Sequence, residues 1–584
     1  MRDNGFRRLP QWLRRLRLVV VERFASDAVH ATLAWAAVLG FTGALATIGF
    51  REAIRALQWL LAERSASLVE TARELPSWQR LLIPVGGGIF AGLILQASQR
   101  RRRETVASDY MEAISIGDGR IGIGQSLARS ASSLFTIASG GSIGREGSMV
   151  QLAAMVASAL GRLTRPSPPR LRLFVACGAA AGITAAYNAP IAGALFVAEI
   201  VLGSIAMESF GPLLVAAVVS NVTMRAFPGY GAPYEMPAFP VVAGREMVLF
   251  AGLGLLAGAS APLFLGLLET AKAGFARLPL PLAARLGIGG LAVGVISVWV
   301  PEVWGNGYSV VNSILHQQWL WPALLTVLLG KLAATGATAG SGAVGGIFTP
   351  TLFVGAALGS LFGHAVQALW PGATSAPFAY AVVGMGAFLA ATTHAPLMAI
   401  VMIFEMTLSY DVVLPLMLGC VIAYFVARSY REASMYSASV RRSRGAEIAS
   451  WESLSVGTLI KPALPCIGEE ATLADVERAF LAHPVRHVYV LDAQRRLSGA
   501  IALQEVQPFL FRRGSLPEPR IADLIRRDFP LLTPDTNLGD ALQKFLGHSG
   551  ERLPVVASDS DRRLLGVVSK SDLLLHIHEA AQNV

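Results

Sequence analysis

Five apolar runs, at 31–48, 81–95, 247–268, 288–300 and 380–404, approach or exceed the length needed to cross a bilayer. They constrain this chain more than any other feature. Hydrophobic residues make up 53% of the sequence and charged residues 15%, against about 25% charged in ordinary soluble domains. Gly, Pro or polar residues interrupt several runs. In a bilayer such breaks are tolerated where the backbone is buried in protein or lines a cavity. A bundle of straight, uniform spans is therefore not expected.

The formal net charge is +10, and the position of the arginines says what it is for. Arg2, Arg7, Arg8, Arg14, Arg15, Arg17 and Arg23 precede the first run, and arginines fill 100–103 after the second. Arg428, Arg431, Arg441, Arg442 and Arg444 follow the last. The positive-inside rule makes all three clusters cytoplasmic, so both ends of the membrane part lie inside and the crossings are even in number. Nucleic acid is not an expected partner. The stretch 11–24 reads as an amphipathic helix on the inner leaflet, and the basic start lacks the short apolar core and cleavage site of a secretory signal. Cys177, Cys420 and Cys466 have no paired spacing, so neither a disulfide framework nor a metal site is expected.

Internal repeats set the organisation. Cys177-Gly-Ala-Ala-Ala-Gly-Ile-Thr-Ala-Ala-Tyr-Asn-Ala-Pro190, running on to Glu199, matches Val383-Gly-Met-Gly-Ala-Phe-Leu-Ala-Ala-Thr-Thr-His-Ala-Pro396, running on to Glu405. Gly178, Ala181, Ala185, Ala189, Pro190 and Glu199 meet their partners at a constant offset of 206 (384 − 178). Upstream, 139–148 matches 341–350 at an offset of 202 (341 − 139). The membrane part is thus two related halves, 27–227 and 244–436, after a basic segment 1–26. An odd number of crossings in each half would invert one relative to the other and place a substrate site between them near mid-membrane. A connector, 437–450, leads to a tail of soluble composition that repeats as 451–515 and 516–584. Each tail unit reads strand, helix, strand, strand, helix.

Gly144-Arg145-Glu146-Gly147-Ser148 is the sharpest motif. An ionisable residue inside a membrane is costly and marks an ion or proton path. Glu146 opens a helical stretch, where glycines expose backbone N–H groups that suit an anion. An ionised carboxylate there occupies the anion's place and vacates it when protonated or displaced. The second half offers Gly345-Gly346-Ile347-Phe348-Thr349-Pro350, where Ile347 and Phe348 can present free N–H groups with no Lys or Arg to trap the ion. Gly305-Asn-Gly-Tyr-Ser309 is a third entry of this kind. His394 and Arg145 read as hydrogen-bonded scaffold. No hydrolytic triad, metal-ligand set or phosphate-binding loop points to an enzyme.

These motifs resemble the CLC chloride channel and antiporter family, most closely its bacterial B-type branch, over about 33–436. The resemblance implies an all-α polytopic membrane domain of two inverted repeats, a homodimer with one anion pathway per subunit, and a bacterial inner-membrane location with both termini cytoplasmic. It implies chloride as substrate, with protons as a further substrate if the protein is an exchanger, and no required cofactor. Carried over, Glu146 is the gating glutamate. Gly144, Arg145, Gly147, Gly346 and Pro350 line the pathway, and Ile347, Phe348, Ser108 and Tyr436 bind the central anion. Ser108 stands in Ala107-Ser-Asp-Tyr-Met-Glu112, without the glycines and proline of the family segment. Proton-coupled members carry two glutamates after Leu-Phe, whereas here Leu195-Phe-Val-Ala is followed by Glu199 and then Ile200. Passive conduction, chloride/proton exchange and fluoride/proton exchange remain open. So does a nucleotide-sensing membrane protein that does not conduct.

The tail resembles a pair of CBS domains, a small α/β module. A hydroxyl followed three residues later by Asp binds an adenine nucleotide in such modules. Ser569 and Asp572 fit in the second unit, while Ala502 and Glu505 hold those places in the first. A purely structural, dimerising pair is the other reading.

Overall fold

The computed structural model describes residues 29–62, 67–99, 107, 109–115, 117–227, 234–235, 237–240, 242–371, 374–431, 433–436, 454–463, 465–483, 485–511, 519–548 and 550–582. The inner-leaflet helix expected at 11–24, the connector at 437–450 and Ser108 lie outside them. The chain forms two compact units, Met1–Val440 and Arg441–Val584.

In the first half of the membrane unit the α-helices are Val29–Ala62 (α1), Leu68–Glu74 (α2), Ser77–Gln99 (α3), Tyr110–Ser115 (α4) and Ile123–Ala138 (α5). Glu146–Gly161 (α6), Pro168–Tyr187 (α7), Pro190–Leu195 (α8) and Met207–Arg225 (α9) complete it. The second half repeats this order without a counterpart of α2. It runs through Met247–Ala276 (α10), Leu282–Trp299 (α11), Tyr308–His316 (α12) and Trp321–Gly340 (α13). Phe348–Leu369 (α14), Pro377–Thr393 (α15), Pro396–Thr407 (α16) and Val413–Tyr430 (α17) follow. Among the described residues, eight helices are long and apolar enough to cross a membrane. Large apolar side chains such as Phe90, Val248 and Leu263 stand exposed on them, as a lipid-facing surface requires.

The repeat seen in the sequence is a repeat of contacts. Where α3 crosses α11, a Cβ on Gly88 would fall 2.4 Å from the Leu286 carbonyl oxygen, and one on Gly290 would fall 2.1 Å from that of Pro84. These four residues are two pairs at the offset of 202, so the crossing is reciprocal, as about a two-fold axis. Only glycine permits backbones this close.

The run 380–404, read as one apolar stretch, is not one helix. It breaks at His394, whose φ of 58° ends α15, and Pro396 opens α16. Asn188, also at φ 58°, does the same between α7 and α8. Composition gives no sign of the break, because the residues on both sides are equally apolar. A proline two residues past a left-handed residue is the local signal.

In the tail unit, Cys466–Gly468 (β1) runs parallel to His487–Leu491 (β2), which pairs antiparallel with Leu497–Ala502 (β3). Leu473–Ala482 (α18) joins β1 to β2 and Leu503–Phe511 (α19) follows β3, in the order the sequence predicts. The second unit has Ile521–Leu524 (α20), Leu538–Leu546 (α21), the antiparallel pair Arg552–Val556 (β4) and Leu564–Ser569 (β5), and Lys570–Gln582 (α22). Its first strand shrinks to a single bridge, Leu532 to Val555. Pro530 and Pro534 flank that position, and proline gives no donor to a ladder. Val456, Tyr489, Leu497, Phe529, Leu553 and Val567 share one core, so the two tail units fold together.

Candidate functional site

The two Gly-rich segments meet. Gly144 N–H donates to the Gly346 carbonyl at 2.7 Å, and Gly346 N–H returns a bond to the Gly144 carbonyl at 2.8 Å. This reciprocal bridge brings together the starts of α6 and α14. Neither helix has a side-chain cap of the usual kind: Arg145 and Ile347 stand at the N-cap positions and bond no helix N–H. The orphan donors there need another acceptor.

Glu146 supplies one. Its Oε1 accepts the Thr349 N–H at 2.9 Å, in the first turn of α14. The side chain is 2% exposed. A Cβ on Gly144 would lie 2.1 Å from this carboxylate and one on Gly346 would lie 2.5 Å from it. Both glycines are therefore the walls of a carboxylate seat. Gly147 packs on the Gly346 backbone, where a Cβ would lie 3.2 Å from Gly346 N. Pro350 is the third residue of α14, where its missing N–H leaves no intrahelical bond unmade.

Hydroxyls and rings continue from the seat. Thr349 Oγ1 lies 2.9 Å from the Tyr187 hydroxyl and donates to that of Tyr308 at 3.3 Å. The guanidinium of Arg145 lies over the Tyr308 ring, 5.4 Å from its centroid. In the other direction Tyr187 packs on Phe348 at 5.0 Å, Phe348 on Phe196 at 6.2 Å, and Phe196 edge-on to Tyr436 at 5.6 Å. Tyr436 is fixed through its neighbour, since Met435 N–H donates to the Thr392 carbonyl at 2.9 Å. One aromatic file thus joins Glu146's surroundings to Tyr436.

The sequence did not single out Thr349, Tyr187 and Tyr308 for the site. Thr349 lies inside the Ile-Phe-Thr-Pro motif and Tyr308 inside the third Gly-bounded entry, so both had a signal. Tyr187 ends α7 at a position where its repeat partner is Thr393, so the repeat itself concealed it.

Glu199 and Glu405 form a second reciprocal pair. Glu199 accepts Leu397 N–H at 3.3 Å and Met398 N–H at 2.8 Å at the start of α16. Glu405 accepts Ile191 N–H at 2.9 Å and Ala192 N–H at 2.8 Å at the start of α8. Each caps the other half's helix. Ile200 is half-buried and packs on the main core.

In the tail, Ser569 Oγ donates to Asp572 Oδ2 at 2.6 Å and accepts Asp572 N–H at 3.1 Å. Lys461 Nζ is 2.8 Å from the same carboxylate oxygen. Hydrogen bonds from Lys461 and Ser569 hold the Asp572 carboxyl below its ordinary range. In the first unit Glu505 pairs with Arg526 instead.

The site is a helical membrane unit of two reciprocal halves in which two helix starts without a local side-chain cap meet around a buried carboxylate. The voltage gated chloride channel profile matches residues 87–428, and the CBS domain profile matches 521–579. A ClcB-like chloride channel protein of Ralstonia nicotianae is 59% identical over 416 residues, covering 70% of this chain and 97% of the relative. The voltage-gated ClC-type chloride channel ClcB of Citrobacter koseri is 43% identical, covering 69% and 97%. The chain belongs to the voltage-gated chloride channel (CLC) family. Among solved structures it is similar to a slow cyanobacterial Cl-/H+ antiporter (TM-score 0.63, 25% identity, 71% of this chain and 98% of that one). A eukaryotic CLC transporter shares the fold over 95% of this chain and 98% of its own, with TM-score 0.60 and 17% identity.

Proposed function

We propose that this protein moves chloride across a bacterial inner membrane through a pathway gated by Glu146, one pathway in each subunit of a homodimer. The observation that carries the reading is the carboxylate of Glu146 on the Thr349 amide. A helix start free of cationic side chains is a site for a permeating anion, and a carboxylate seated there excludes that anion until it leaves. In this reading Ile347 and Phe348 give amides to the central anion, Ser108 and Tyr436 give hydroxyls, and Gly144, Arg145, Gly147, Gly346 and Pro350 shape the path. The transport domain is 27–436, with both termini in the cytoplasm.

Ile200 stands where coupled members carry the carboxyl that relays protons; channels of the family lack it and so do some exchangers, so this position leaves conduction and exchange both open. The similarity to a solved Cl-/H+ antiporter favours the second reading, exchange. Reconstitution into liposomes decides both questions. Chloride efflux on collapsing the membrane potential supports transport, and its absence overturns it. Proton uptake in fixed ratio to chloride identifies an exchanger, and none identifies a channel. Fluoride carried in preference to chloride contradicts the proposed substrate.

The CBS pair, 451–515 and 516–584, is proposed to regulate transport by binding an adenine nucleotide at Ser569 and Asp572.

A further inference from the structure

A tyrosine from the segment between the two halves reaches the gate. Tyr234 is 1% exposed, and its hydroxyl is buried with no hydrogen-bond partner among the described residues. Its ring meets that of Tyr308 edge-on at 5.0 Å, and Tyr308 lies under Arg145 and bonds Thr349. The adjoining Glu235 N–H donates to Asn312 Oδ1 at 3.1 Å, which fastens the segment to α12.

Two more polar atoms nearby are in the same condition. Glu146 Oε2 and Arg145 Nε are buried and have no partner among the described residues. A buried polar atom without a partner carries a desolvation cost, so a position that pairs Glu146 Oε2 with a donor is favoured. The Thr349 amide satisfies only one oxygen of the carboxylate in the seated position. On leaving that seat the carboxylate needs donors, and the phenol of Tyr234 and the guanidinium of Arg145 are donors by nature.

We infer that Tyr234 is the outer partner of the Glu146 carboxylate: when Glu146 leaves the Thr349 amide, the Tyr234 hydroxyl donates to it beside Arg145. This rests on the reading of Glu146 as the gate and adds the position that receives it. Tyr234 is a positioning residue, since it acts on the anion path through Glu146. An ionised carboxylate can then stay out of the path without first being protonated. Protonation opens the path by itself, so Tyr234 matters most at neutral pH. Arg145 is the charged group acting on Glu146. Tyr187 and Tyr308, bonded to Thr349, with Tyr234 against Tyr308 and Tyr436 along the aromatic file, are the titratable groups around the seat.

Tyr234→Phe keeps the ring and removes only the donor. In full-length protein reconstituted into liposomes it should lower chloride flux at neutral pH roughly three- to tenfold, the range of one hydrogen bond. Flux near pH 5 should stay at the wild-type level, so the ratio of acid to neutral flux grows. Added to Glu146→Ala, which has no carboxyl to receive, the same substitution should change nothing, and this also shows that the substituted protein folds. Unchanged neutral flux for Tyr234→Phe alone overturns the inference. So does an equal fall in the Glu146→Ala background, which makes Tyr234 a contact of the anion or of the fold. Wild-type pH dependence in Glu146→Ala alone removes the gate itself, a separate failure that takes this inference with it.

Discussion

Glu146 does for α14 what a serine or aspartate N-cap does for an ordinary helix, but from 203 residues away in the sequence. The remoteness matters because a local cap is fixed by its own backbone, whereas this carboxylate can swing off on side-chain torsions alone. Gly144 and Gly346 make the seat possible, and the atoms nearest to a Cβ at either position belong to Glu146. Gly346→Ala should therefore fold, push the carboxylate off the Thr349 amide, and raise chloride flux at pH 7 toward the acid-activated level. Flux at or below wild type, in protein of unchanged melting temperature, would contradict that. Tyr436→Ala removes a hydroxyl from the proposed central site and should weaken chloride binding by about threefold to tenfold in calorimetry. Unchanged affinity would mean that the amides of Ile347 and Phe348 suffice. The Gly-rich motifs made this site legible, because glycine next to an ionisable residue in an apolar run has few other uses. Tyr234 was not legible: nothing in its neighbours says that a residue between the halves folds back onto the gate.

At the scale of elements, the halves are held by exchanged contacts. Gly144 and Gly346 trade backbone bonds, Gly88 and Gly290 trade close approaches, and Glu199 and Glu405 cap each other's half. The offsets of 202 and 206 announced the Gly144–Gly346 and Glu199–Glu405 pairs, since residues at equal places in two-fold-related halves meet equal surroundings; Gly88 and Gly290 share the offset of 202 but lie outside the matched segments. The exchange of caps was not announced, because a glutamate inside an apolar helical stretch carries no sign of which helix start it faces. A carboxylate on two amides at a helix start contributes about 1 kcal/mol when half-buried. Glu199→Gln and Glu405→Gln should each lower the melting temperature of the purified protein by a few degrees, on the order expected for that loss. Neither should change the protons moved per chloride. A change in that ratio for Glu199→Gln with no loss of stability would make Glu199 part of a proton path rather than a cap.

The whole molecule joins a CLC-family membrane unit to a tail with its own core. Asp572 is held by Ser569 and Lys461, so a nucleotide ribose has to compete with Lys461 for it. If the site is used, Asp572→Ala should weaken ATP or AMP binding to the fragment 451–584 by about tenfold or more. No binding at millimolar nucleotide would leave the tail a structural module. The same fragment should respond to acid. Burial holds His487 and His548 below the ordinary imidazole value of 6.5, and Arg526 pushes both the same way. The unfolded chain therefore binds more protons below that value, so the stability from these groups is complete above it and is lost as pH falls through their folded values. The melting temperature of the fragment should be lower at pH 5.5 than at pH 7.5, and substituting His548 with Gln should shrink the difference. No difference in the unsubstituted fragment would show that the histidines do not couple to its folding.

Gating by Glu146 is measured most directly by chloride flux against pH in liposomes for Glu146→Gln. The amide is neutral at every pH and has the shape of the protonated carboxyl, so it cannot hold the anion's place as an ion. Flux should persist, lose most of its pH dependence, and carry no coupled protons. A Glu146→Gln protein whose flux follows the wild-type pH profile would show that another group gates the pathway.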